Sequence, residues 1–80
     1  MSKADKMFKE LGYEKELENK DKVRYITLIN EKNDLFIIEI WKLDKVIWIS
    51  PTNLHYSTEI ELEELQAINE KCKELGWLDE

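Results

Sequence analysis

The residues of this 80-residue sequence that could do chemistry are few, and they begin with one histidine and one cysteine. His55 and Cys72 could in principle form a base and a nucleophile, because a histidine beside a thiol favours the reactive thiolate. Cys72, however, falls on the apolar stripe of a predicted helix, where a buried and inert thiol is the usual state. His55 stands in a predicted surface loop. We therefore expect no catalytic residues, and a small enzyme that uses His55 and Cys72 is the least favoured alternative.

No spacing typical of a metal or cofactor site occurs in the sequence. A glycine-rich phosphate loop and paired cysteines are both missing. Asn33, Asp34 and Asp44 lack the alternating carboxylates and the glycine of a calcium-binding loop. We expect neither a metal nor a cofactor.

Acidic residues are concentrated in the second half of the chain. Residues 1–32 contain eight Lys/Arg and seven Asp/Glu, residues 33–80 contain four and eleven, and the net charge is −6. Such a chain repels phosphate backbones, so direct binding of nucleic acid is disfavoured. The acidic residues on and just before the last predicted helix form a candidate acidic surface: Glu59, Glu61, Glu63, Glu64, Glu70 and Glu74.

Two interpretations of this acidic surface differ in function. Thr58 and Glu61 match the capping-box pattern, and carboxylates in a first helical turn complement the helix dipole. The alternative is that two of these carboxylates work as a general acid and base, which this common helix-start pattern does not require. Helix capping is the simpler explanation.

Amphipathic segments predict a helix at each end of the chain. The first has Ser2 as a candidate N-cap and an apolar stripe of Ala4, Met7, Phe8 and Leu11. The last has a stripe at spacings of three or four residues, formed by Leu62, Leu65, Ile68, Cys72 and Leu75. Gly12 followed by Tyr13, and Gly76 followed by Trp77, predict Schellman endings.

Three runs rich in β-branched and aromatic residues predict strands at Lys22–Ile29, Leu35–Lys42 and Lys45–Ser50. The short polar gaps between them fit hairpin turns, and Pro51 stops the third strand before a loop over residues 52–57. The prediction is a single α+β domain over residues 1–80. It consists of a helix, a three-stranded antiparallel meander and a second helix, in two layers.

The middle predicted strand is apolar on both sides, yet only one side can meet the helices. The preferred arrangement directs Phe36, Ile38, Ile40, Ile47 and Ile49 inward. The hairpin registers stay open, and a slip of one residue would exchange the faces. The outward set forms a candidate protein interface: Leu35, Ile37, Trp41, Val46 and Trp48. The alternative is that helices or the loop after the third strand cover this second face.

These features predict a soluble cytoplasmic binding protein. The longest apolar run, Leu35–Ile38, is too short for a membrane helix, and a lone cysteine fits a reducing compartment. The expected partner is a protein, most simply a second copy in a two-fold homodimer, with no direct nucleic acid and no membrane.

The two predicted helix sequences, residues 4–13 and 63–77, resemble small uncharacterised proteins of phages and prophages of Firmicutes-type Gram-positive bacteria. The resemblance covers about a third of the chain. It implies a non-catalytic phage or prophage accessory protein in the bacterial cytoplasm. It transfers no catalytic or ligand-binding residues. An acidic protein of such origin could alternatively be an inhibitor whose acidic surface imitates DNA and occupies the basic cleft of a host nucleic-acid-binding protein.

Overall fold

The computed structural model describes residues 2–29, 34–53 and 59–78. The elements in chain order are α1 (Lys3–Glu10), β1 (Glu14–Glu18), β2 (Lys22–Leu28), β3 (Leu35–Trp41), β4 (Val46–Pro51) and α2 (Leu62–Glu74). The strands form one antiparallel sheet in the order β1-β2-β3-β4. The α+β class with a helix first and a helix last is confirmed. The predicted three-stranded meander is wrong by one strand, because the described sheet has four.

The additional strand, β1, has the sequence EKELE, in which Leu17 is the one apolar residue. Such a composition has low β-propensity, which is why the sequence did not predict a strand there. Charge contacts help to hold it instead: the Glu16 carboxylate lies 2.8 Å from the guanidinium of Arg24 on β2. A bulge between Lys15 and Leu17 interrupts its pairing with β2.

Both helices pack on one face of the sheet, here called the inner face, which carries Val23, Tyr25, Phe36, Ile38 and Ile40. The ring of Phe8 on α1 stacks on Tyr25 with centroids 3.8 Å apart. The predicted inward placement of the β3 residues is confirmed, since its residues alternate between buried and half-buried along the strand. Ile47 pairs with Ile40 on this face but stays 38% exposed, because β4 is an edge strand.

The predicted Schellman endings are present on both helices. The Tyr13 N–H donates to the Phe8 carbonyl at 2.9 Å, and the Trp77 N–H donates to the Cys72 carbonyl at 2.9 Å. The glycine after each cap has a positive φ, 94° and 79°. This left-handed conformation satisfies the last helical carbonyls and turns the following aromatic residue back toward the helix.

The start and the buried face of α2 differ from the prediction. Its N-cap is Glu61, three residues after the predicted Thr58, which lies outside the described residues. Leu62 and Leu65, predicted to face the core, are 64% and 44% exposed. The buried positions of the helix are Ala67, Ile68, Lys71 and Cys72.

Candidate functional site

The second face of the sheet, here called the outer face, collects the residues of the predicted protein interface. The sheet register pairs Trp41 with Val46 and places Trp48 beside Glu39. The buried residues of both helices belong to the core on the inner face, so no described helix covers the outer face. The predicted interface residues all lie here: Leu35, Ile37, Trp41, Val46 and Trp48.

The exposure of these side chains varies along the outer face. Trp48 is 59% and Val46 is 49% exposed, whereas Leu35, Ile37 and Trp41 are half-buried. Leu28 of β2 is an additional apolar residue on this face that was not predicted from the sequence. It pairs with Leu35 and is 63% exposed. The sheet face that Leu28 occupies could have been predicted only from the β2–β3 register, which the sequence left open.

A charged pair divides the outer face into two apolar areas. The Arg24 guanidinium lies 2.5 Å from the Glu39 carboxylate, and its hydrogen bonds to Glu16 and Glu39 raise its pKa further. The area on the β4 side of this pair, here called the tryptophan corner, consists of Trp41, Val46 and Trp48.

A neighbouring cation contacts the ring of Trp41 at the tryptophan corner. The Lys22 ammonium lies 4.5 Å from the centroid of the Trp41 ring. The indole N–H of Trp41 is buried and makes no hydrogen bond with the described residues. Trp48 is more exposed and lies on the edge strand, so it is the more accessible tryptophan of the corner.

Cys72, the candidate nucleophile, is part of the core. The residue is 6% exposed, and burial raises the pKa of its thiol. A raised pKa keeps the thiol protonated, which opposes nucleophilic attack. His55, its suggested partner, lies outside the described residues.

Two members of the predicted acidic surface cap α2. The Glu64 carboxylate accepts a hydrogen bond from the Glu61 N–H at 2.6 Å and another from the Tyr13 hydroxyl. Burial and the Glu64 carboxylate together raise the pKa of Tyr13 above its ordinary range. A capping box is therefore present, displaced by three residues from the predicted one.

Two further members of the acidic surface contact α1. Glu74 accepts a hydrogen bond from the Ala4 N–H at 2.8 Å, and Glu70 lies 3.9 Å from the Lys3 ammonium. The acidic side chains of α2 thus tie the two helices together. The remaining two members are exposed: Glu59 and Glu63.

A polar cluster that the sequence did not predict lies where the helices meet β1. Its centre is the Lys71 side chain, which is 6% exposed and places its ammonium 3.2 Å from Glu18 and 3.8 Å from Asp5. Lys71 lies between Ile68 and Cys72 on the buried stripe of α2. A lysine on the apolar stripe of a helix was the sequence signal for this cluster, because a buried ammonium requires carboxylate partners.

Glu18 accepts hydrogen bonds from several lysines in the polar cluster. The Lys15 ammonium lies at 2.9 Å and the Lys42 ammonium at 3.0 Å. Burial works toward a higher pKa, but the hydrogen bonds from three ammonium groups outweigh it and lower the pKa of Glu18 to about 2.

Asp5 is the second carboxylate of the polar cluster. It accepts hydrogen bonds from the Tyr25 hydroxyl at 2.5 Å and from Lys15 at 2.8 Å. Burial opposes ionisation, yet these donors and the Lys71 charge lower the pKa of Asp5. Each carboxylate here has cationic partners, and among the described residues no group of side chains is suited to hold a metal ion. The polar cluster is therefore a network of ion pairs and hydrogen bonds within the chain.

Comparison of the chain with protein-family models, with curated proteins and with solved structures finds no match. Within the described part of the chain, no helix has both the length and the apolar character needed to cross a membrane.

Proposed function

We propose that this protein is a non-catalytic protein-binding module that associates with a second copy of itself through the outer face of its sheet. The observation that carries the proposal is the exposure of Trp48 and Val46 on a face that no helix among the described residues covers. Large apolar side chains grouped on a surface are typical of protein interfaces. Tryptophan contributes strongly to such interfaces, because it brings a large contact area with few rotatable bonds.

The charge distribution leaves one side of the molecule where a second copy can approach. The chain has a net charge of −6, so two copies repel each other over most approaches. β4 has no charged residue along Val46–Pro51, and it provides two of the three residues of the tryptophan corner. Contact at this side therefore brings apolar area together while the acidic residues of α2 stay on other parts of each molecule.

The phage or prophage context, the cytoplasmic location and the acidic-inhibitor alternative stay predictions. The acidic alternative gains no support from geometry, because Glu61, Glu64, Glu70 and Glu74 contact groups of their own chain. Self-association, in contrast, requires only the exposed apolar residues of the outer face.

Two substitutions that each introduce a positive charge test the proposal. Trp48→Lys places an ammonium in the tryptophan corner, whereas Leu43→Lys places one on an 80% exposed residue of the β3–β4 turn. Light scattering at ~100 μM should give a dimer for the unaltered chain and for Leu43→Lys, and a monomer for Trp48→Lys. Circular dichroism checks that both variants are folded. Equal masses for the two folded variants would contradict the proposal.

A further inference from the structure

The two edges of the sheet differ in how they are protected against pairing. β1 forms one edge and combines four charged residues with a bulge. Both features discourage another strand from pairing. β4 forms the other edge, has no charged residue and keeps one uniform register with β3 from Val46 to Pro51. β4 is therefore the open edge of the described sheet.

Two hydrogen bonds show which backbone groups of β4 point away from the sheet. The Thr52 N–H donates to the Leu35 carbonyl at 2.8 Å, and the Lys42 N–H donates to the Asp21 carbonyl at 2.8 Å. In antiparallel pairs, hydrogen-bonded and non-hydrogen-bonded positions alternate. The backbone groups of Val46, Trp48 and Ser50 therefore face β3, and those of Ile47, Ile49 and Pro51 face the open edge.

Pro51 fits this assignment. A proline has no N–H, and within sheets it is tolerated where that group would face away from a neighbouring strand. The open edge thus offers the N–H and carbonyl groups of Ile47 and Ile49. At the other end of β4, Lys45 has a φ of 56°, which departs from strand geometry. The open edge therefore begins after Lys45.

The segment between Lys45 and Pro51 has nearly the same pattern of side chains in both chain directions. Val46-Ile47-Trp48-Ile49-Ser50 has an isoleucine on each side of a central tryptophan. An antiparallel copy centred on Trp48 places Ile47 of each chain opposite Ile49 of the other. Both isoleucine pairs can then exchange their free N–H and carbonyl groups. The two tryptophans meet on the outer face, and Ile47, which is 38% exposed, gains a neighbour on the inner face.

We propose that a second copy of this chain pairs with the open edge of β4, antiparallel and with its two-fold axis at Trp48, so that the two four-stranded sheets become one. The inference rests on the proposed self-association and specifies its geometry. It identifies backbone pairing as the main contact and assigns Trp48 to the centre of the interface.

A disulfide experiment tests this register. The double variant Val46→Cys with Ser50→Cys retains Trp48, and a Cys72→Ala background removes the native thiol. In the proposed dimer, residue 46 of one chain faces residue 50 of the other in a non-hydrogen-bonded pair. Their Cα atoms are then about 4.5 Å apart, within the range that a disulfide spans. In one chain the same two positions are about 13 Å apart, so no internal bond can form.

Oxidation should give a covalent dimer of the double variant, whereas each single-cysteine control should remain a monomer on a non-reducing gel. An equal yield of covalent dimer from the single controls would overturn the register. So would the absence of covalent dimer while the unaltered chain sediments as a dimer.

A proline substitution tests the backbone contact. Ile47→Pro removes an N–H that faces the open edge, and Ile47→Ala removes a similar amount of side chain but keeps that N–H. We expect Ile47→Pro to weaken dimerisation by about tenfold relative to Ile47→Ala, because each chain loses one donor. Equal dimer affinities of the two folded variants would overturn edge pairing and leave self-association through the outer face standing. A monomeric unaltered chain at ~100 μM would overturn both proposals.

Discussion

The Lys71 ammonium of α2 lies 3.2 Å from the Glu18 carboxylate of β1, and this ion pair links the last helix to the first strand. The Lys71 side chain is 6% exposed, whereas that of Glu18 is 27% exposed. Glu18 also contacts Lys15 and Lys42. Lys71 has its other carboxylate partners, Asp5 and Glu74, only at 3.8 and 3.9 Å.

Glu18 has other partners within about 3 Å, whereas Lys71 does not. Removing one residue or the other should therefore reduce the free energy of unfolding by different amounts. Glu18→Gln leaves a buried ammonium with distant charged partners, so it should lower the free energy of unfolding by about 1–2 kcal/mol, more than Lys71→Met does. Lys71→Met fills a similar volume and leaves Glu18 with two lysines, so it should cost about 1 kcal/mol or less. Urea unfolding of both variants checks the order. The double variant should be more stable than Glu18→Gln alone. The opposite order of the two single variants would contradict this account of the polar cluster.

The polar cluster also predicts an acid-sensitive fold. The pKa of Glu18 falls from 4.5 to about 2, and that of Asp5 is also lowered. A carboxylate with a depressed pKa contributes stability above its unfolded pKa, and this contribution is lost as the pH falls from 4.5 toward 2. Because Glu18 is partly exposed, the loss should be on the order of 1 kcal/mol after solvent screening. Urea unfolding at neutral and acidic pH measures it. Glu18→Gln should show a smaller loss than the unaltered chain, and parallel pH dependences would contradict the assignment.

The two Schellman endings predict that alanine is unfavourable at Gly12 and Gly76. A Cβ at Gly76 would have no neighbour within 4 Å, and one at Gly12 would lie 3.7 Å from the Thr27 hydroxyl, an ordinary contact. The cost therefore comes from the positive φ alone and should be about 1 kcal/mol at each position. Thermal or urea unfolding of Gly12→Ala and Gly76→Ala measures this cost. A much larger loss at one of them would show a packing role that the structure does not contain.

The sequence predicted those parts of the fold that depend on local apolar patterns. Alternation along residues 35–41 indicated the buried face of β3, and Gly12 and Gly76 indicated the helix ends. β1 was not predictable in this way, because its residues are mainly charged and contact partners distant in sequence, such as Lys42 and Lys71. The strand count was therefore wrong although the fold class was right.

The orientation of α2 shows a second limit of sequence patterns. Leu62 and Leu65 fitted an apolar stripe, but they are exposed, and Lys71 occupies the buried face instead. The stripe prediction treated a lysine as a surface residue. Only the positions of Asp5 and Glu18 beside α2 explain why Lys71 is buried.

The outer face was predicted in outline, and the open edge was not. The five interface residues follow from alternation within each strand, whereas the free backbone groups of Ile47 and Ile49 follow from strand order and register. Those two properties depend on pairing between strands, which the sequence left open.

Sedimentation of the unaltered chain over a range of concentrations tests self-association most directly. The chain has a mass of 9.6 kDa, and its mass should rise toward twice that value as the concentration approaches ~100 μM. Trp48→Lys should remain at 9.6 kDa under the same conditions. A mass of 9.6 kDa for the unaltered chain at every concentration would contradict the account.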